Sequence, residues 1–171
     1  MSKTDYFKDC PQHLRDQVQQ LISSGKLKLY LLNKYPSGHQ INTDKQLYTY
    51  ASDLKQSYIK KSPPISKVIY GKQKDLVINA LGTHTFISRN HGGKLKSKHE
   101  IRISNCLKNA PEDMLKMLVV HELAHFKEKE HNRAFYKLCE HMQPDYFQIE
   151  FDMRLFLVLL DQGDTLYGVN S

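Results

Sequence analysis

MLVVHELAHFKEKEHNRAFY, residues 117–136, is the stretch on which the reading of the whole chain turns. It carries His121, Glu122 and His125 in the order HExxH, followed by His131. On an α-helix, positions i and i+4 stack on one face, so the imidazoles of His121 and His125 can reach a single metal ion. Glu122 projects from a neighbouring face, where a carboxylate can hold the water that a metal activates. His131 obeys a different constraint. In an unbroken helix it would lie about 15 Å along the axis from His121, out of reach of the same ion. The spacing therefore predicts that the helix ends soon after His125 and that the polar run 127–130 turns the chain back over the surface. Asn132 then caps a second helix, whose apolar residues Phe135, Leu138, Cys139 and Met142 follow helical spacing. Three His ligands with one position left open describe a catalytic zinc site, one divalent cation per chain, rather than a structural one.

The residues around the motif strengthen that expectation. Leu115, Met117, Leu118, Val119, Val120, Leu123, Ala124 and Phe126 make the helix apolar nearly all round, which is the mark of a core element. Burying two His and a Glu there without partners would cost several kcal/mol, and a metal is the natural partner. Glu140 and Glu150 are rival third ligands. His131 is preferred on its spacing. Asp145, Glu150 and Asp152 are candidates to hold a ligand imidazole from behind, and Tyr146 is a candidate to assist an oxyanion, with a packed tyrosine the preferred reading.

HELAHFKEKEHNRAFYKLCEHMQPDY resembles the signature of the YgjP-like metallopeptidases, relatives of the SprT-like minimal zinc proteases. The upstream run NALGTHTFISRNHGGKLKSKHEIRISNCLKNAPEDMLKMLVV and the downstream FQIEFDMRLFL look like the same family, most strongly over residues 62–160. The His spacing also matches the metzincins, but their helix-ending Gly is replaced by Glu128, which argues against a true metzincin. The resemblance implies an α+β fold with a zincin-like core: a small antiparallel sheet packed on the HExxH helix. It also supports His131 as third ligand and places a strand along the substrate cleft. Arg89 stands where related proteins carry an Arg before a glycine turn.

At 171 residues the chain is most simply one domain, long enough to bury about 70% of its unfolded surface. Three cysteines, Cys10, Cys106 and Cys139, are odd in number and lack a CxxC or disulfide-like spacing, which suggests a reducing, cytoplasmic setting. The N-terminus shows no apolar run of signal-peptide length, and the longest apolar run, 155–160, is too short to span a bilayer, so no membrane is expected as a partner. The net charge of +7 suggests an anionic partner.

Residues 1–61 read as a helical N-terminal extension and residues 62–171 as the metallohydrolase core. Leu14, Val18, Leu21 and Ile22 recur at helical spacing before Gly25, residues 26–33 continue as a short helix, and Thr43 or Asp44 caps another carrying Leu47, Ala51, Leu54 and Tyr58. His13 and His39 lack spaced partners and read as surface residues. Ser62, Pro63 and Pro64 break the helical regime. Residues 65–70, 76–80 and 83–89 then favour strands whose short connections suggest antiparallel pairing. In the run 94–105, Lys94, Lys96, Lys98, Glu100, Arg102 and Ser104 alternate with Leu95, Ile101 and Ile103, giving a charged face and a core face. Such an edge could add a peptide strand, its cations could hold phosphates, or its lysines could simply guard the edge against aggregation. His84 and His99 are candidates for substrate contact. The final segment, 145–160, is a buried helix or a strand followed by one.

Two substrates follow. The first reading, a metallopeptidase in which Glu122 activates a water on zinc held by His121, His125 and His131, fits the HExxH helix and its neighbouring strand; the nucleotide pyrophosphatase is its alternative. A nucleotide pyrophosphatase fits the cations Arg89, Lys94, Lys96, Lys98 and Arg102, and YgjP-like proteins have been linked to hydrolysis of UTP. A third reading, a basic nucleic-acid-associated module with structural zinc, sits poorly with an open coordination position.

Overall fold

Pro11 precedes a first helix, α1 (Gln12–Ser23), that stops where Gly25 takes φ +72°, a conformation natural to glycine. The structure, a computed structural model, describes residues 5–72 and 99–168. Helix α2 (Leu27–Lys34) follows directly, and α3 (Asp44–Tyr58) begins with a capping box: the Gln46 amide donates to Thr43 Oγ1 at 3.1 Å while the Thr43 amide donates to Gln46 Oε1 at 3.1 Å. The N-terminal turn of α3 also holds the sheet, since Asp44 Oδ1 accepts from the Tyr70 amide at 2.9 Å.

Strands β1 (Lys67–Gly71) and β2 (Glu100–Ser104) pair in parallel, Lys67 opposite Glu100 and Ile69 opposite Arg102. The expected antiparallel pairing is thus corrected for these strands. β1 pairs with a strand separated from it by residues 72–99, ample for the crossover that parallel strands require. The strand expectations at 76–80 and 83–89 lie outside the described residues. Ile101 and Ile103 face the core as expected, but Glu100 and Ser104 are buried too, so the supposed charged face is covered at both positions. Glu100 Oε1 is held by Arg102 Nε at 2.7 Å.

A 3₁₀ turn (Asn105–Asn109) leads to α4 (Glu112–Ala124), the HExxH helix, which β2 flanks. Its buried residues run from Met114 to Ala124 on nearly every side, matching its all-round apolar sequence. Helix α5 (Arg133–Met142) is capped by Asn132 Oδ1, which accepts from the Phe135 amide at 2.9 Å. The last segment is one helix, α6 (Tyr146–Asp161), with no strand before it. Helices α2, α4 and α5 pack on α6, so the N-terminal helices share one apolar core with the rest. The fold is α+β. No helix among the described residues is long and apolar enough to cross a membrane.

Polar anchors inside α6 tie the N-terminal segments to it. Asp152, fully buried, accepts from the Tyr35 hydroxyl at 2.5 Å and pairs with Lys34 Nζ at 2.6 Å. Arg154 donates to the Tyr6 carbonyl at 2.7 Å and pairs with Glu150 at 2.7 Å. Burial raises the Glu150 carboxyl above its ordinary value, opposed by the Arg154 guanidinium. Replacing Arg154 by methionine strands that carboxylate and the Tyr6 carbonyl, with an expected loss of about 3–5 kcal/mol in denaturant unfolding at neutral pH. A raised folded pKa means that stability is greatest below the unfolded value and falls as pH rises through the folded one. The penalty of Arg154→Met should therefore shrink as pH is lowered toward 4.5, the ordinary value for Glu150.

Candidate metal centre

The three histidines of the opening stretch come together. His121 lies in the last turn of α4, His125 forms its C-cap with φ −64° and ψ −16°, and the chain then turns sharply, with the Lys127 and Glu128 amides donating back to the Ala124 carbonyl at 3.1 and 2.9 Å. This turn uses no left-handed residue, since the only positive-φ non-glycine among the described residues is His99. That is why a Glu at position 128 can stand where metzincins need Gly. The turn delivers His131 beside His125, their Nε2 atoms 2.9 Å apart. One ring nitrogen from each of His121, His125 and His131 lies within 4.8 Å of the others.

That donor set fits a metal ion. Two imidazole nitrogens on a tetrahedral zinc at about 2.0–2.1 Å stand about 3.3 Å apart, so the observed 2.9 Å needs only a few tenths of an ångström of movement. The opposite ring nitrogens are engaged from behind. His125 Nδ1 bonds the Glu128 carbonyl at 3.0 Å, and His121 Nδ1 bonds the Tyr146 hydroxyl at 3.0 Å. Such bonds fix the tautomer and direct Nε2 at the ion. The buried Cys139 side chain interacts in turn with the Tyr146 hydroxyl. Burial pushes the Tyr146 hydroxyl well above its usual range and the Cys139 thiol up to about 12, so both keep their protons at neutral pH.

Phe135, fully buried on α5, forms a common floor. Its ring centroid lies 4.9, 4.6 and 4.9 Å from those of His121, His125 and His131. In sequence it reads only as an apolar residue at helical spacing. Phe135→Ala is expected to cost about 3–5 kcal/mol in the metal-free protein, seen as a lower midpoint in urea unfolding.

Glu122 sits between His121 and His125 in sequence, half-buried. The rival ligands are elsewhere: Glu140 is exposed and Glu150 is paired with Arg154, and the three histidines are the metal-capable cluster found among the described residues. Asp152 and Glu150 serve as α6 anchors, while the bonds behind His121 and His125 come from Tyr146 and a backbone carbonyl. His99, at φ 67°, lays its ring 4.9 Å from that of Phe126, next to His125. His39 is not the surface residue expected: Nε2 bonds the Leu107 carbonyl at 2.6 Å and Nδ1 accepts from the Ile41 amide at 2.9 Å, bracing the approach to α4. Of the proposed substrate cations, Arg102 is bonded to Glu100 with its side chain 41% exposed. Arg89, Lys94, Lys96 and Lys98, with His84, lie outside the described residues.

Comparison with known proteins agrees with this geometry. Residues 69–154 match the model of the YgjP-like metallopeptidase domain. Over 163 residues the chain is 50% identical to a protein of Escherichia coli (strain K12) named UTP pyrophosphatase, covering 95% of this chain and 98% of that relative. No solved structure matches. Both matches point to hydrolysis, which sets aside the reading as a non-enzymatic zinc module. The matched segment contains the helix–turn–helix on which the three imidazoles converge, and the chain belongs to the YgjP-like family of hydrolases.

Proposed function

We propose that this protein is a zinc-dependent nucleotide pyrophosphatase acting on UTP or a close analogue, with His121, His125 and His131 as ligands and Glu122 as general base. The observation that carries the choice of substrate is the 50% identity, over nearly the full length of both chains, to a protein named for that reaction. The site chemistry is compatible with it. When bound, zinc would lower the pKa of a water toward 7 and polarise a phosphoryl oxygen. Glu122 takes the proton of the attacking water and returns it to the leaving group. The water adds to the α-phosphorus, the bond to the β-bridging oxygen breaks, and pyrophosphate leaves with the proton. Arg102, together with Arg89, Lys94, Lys96 and Lys98, supplies the positive charge that a triphosphate requires.

Peptide hydrolysis at the same centre is the second reading, favoured by the metallopeptidase-domain match. Zinc-loaded protein incubated separately with a nucleoside triphosphate panel and with casein separates the two. Pyrophosphate release confined to nucleotides and absent in Glu122→Gln supports the first. Peptide release that disappears in that variant, with nucleotides left intact, assigns the second.

A further inference from the structure

His121 is the least exposed of the three histidines, and its Nδ1 meets an uncharged partner where many metal-binding histidines meet a carboxylate. That partner, Tyr146, is the first residue of α6, and Cys139, which interacts with it, lies on α5. His121, Tyr146 and Cys139 are all buried, so the three groups form a dry relay joining α4, α5 and α6. Accepting it as a ligand fixes the direction. With Nε2 turned to the ion, Nδ1 carries the ring proton and donates to Tyr146 Oη, which leaves the hydroxyl's own hydrogen to be directed toward the Cys139 side chain.

We propose that Tyr146 is the positioning residue of this centre: its hydroxyl, oriented by Cys139, sets the tautomer and ring plane of His121 and so tunes how tightly and with what geometry the metal is held. This rests on the metal reading above and extends it to residues outside the HExxH motif. An uncharged partner leaves the imidazole a weaker donor than a carboxylate would, which keeps the ion a stronger Lewis acid. Helix packing alone does not account for the arrangement, because a phenylalanine would fill the same space without placing an oxygen 3.0 Å from a ligand's ring nitrogen.

The test is zinc affinity by chelator competition, together with the visible absorption of the cobalt-substituted protein, for the wild type, Tyr146→Phe, Cys139→Ala and Tyr35→Phe. Tyr35→Phe removes a buried hydroxyl that bonds Asp152 instead. Tyr146→Phe is expected to weaken zinc binding about 10–100-fold and to shift the cobalt spectrum, with the metal-free melting temperature within about 4 °C of wild type. Cys139→Ala should weaken binding in the same direction by a smaller factor, and it serves as the deciding variant if Tyr146→Phe does not fold. Tyr35→Phe should lower the melting temperature and leave zinc affinity within about twofold. Zinc binding by Tyr146→Phe within about twofold of a wild type that holds one equivalent, with an unchanged cobalt spectrum, overturns the relay while leaving the centre intact. A wild type that takes up no metal overturns the centre, and the relay with it.

Discussion

Glu122→Gln is expected to lower kcat by about 10²–10⁴-fold while leaving zinc content at the wild-type level. Glutamine keeps the shape and the hydrogen-bonding reach of glutamate but cannot accept the proton of an attacking water. The three imidazoles able to hold the ion belong to other residues, so the centre itself should survive. The loss corresponds to about 3–5 kcal/mol of barrier, appearing in kcat more than in KM because the proton moves only as the transition state is reached. Pyrophosphate release from UTP is the measurement, with zinc determined on the same sample. A variant that keeps its zinc and turns over within about tenfold of wild type removes Glu122 from the role of base.

His131→Ala carries the second large effect. His121 and His125 come from a single helix end and offer only two nitrogens, whereas the third is delivered by the turn and bonds His125 directly. Two imidazoles hold zinc far less firmly than three, and the purified variant should contain sharply less than the one equivalent expected for wild type. Stability should follow occupancy. Zinc at about a hundred times its Kd adds about 2.7 kcal/mol to a protein that binds it only when folded, or roughly 5–11 °C for a chain of this size. Scanning calorimetry with and without zinc should show that rise for wild type and little of it for His131→Ala. An equal rise in both would move the third ligand to another side chain.

The parts of this molecule that the sequence discloses are those set by local stereochemistry. HExxH with His131 forces a helix to end after His125, because no straight helix can bring all three rings to one ion. Thr43, one of the two caps expected there, Gly25 and Asn132 mark helix ends for equally local reasons, and each stands where expected. The parallel sheet is hidden because the partner of β1 is chosen by a contact across residues 72–99, which short-range pairing rules do not see. Phe135 and Tyr146 are hidden for a different reason. Each satisfies an apolar helical pattern, and only the packing of α5 and α6 on α4 shows that one ring lies under all three histidines and one hydroxyl backs His121. Asp152 reads in sequence only as a partner for a ligand imidazole and His39 only as a surface residue, since a polar residue in sequence carries no sign of the partner it meets in the fold.

X-ray absorption at the zinc edge on the wild-type protein tests the central claim most directly, since it counts the ligands on the ion. The predicted spectrum shows three imidazoles at about 2.0–2.1 Å and one oxygen from solvent. Two imidazoles with a protein carboxylate, or a closed shell with no solvent oxygen, would contradict the centre described here.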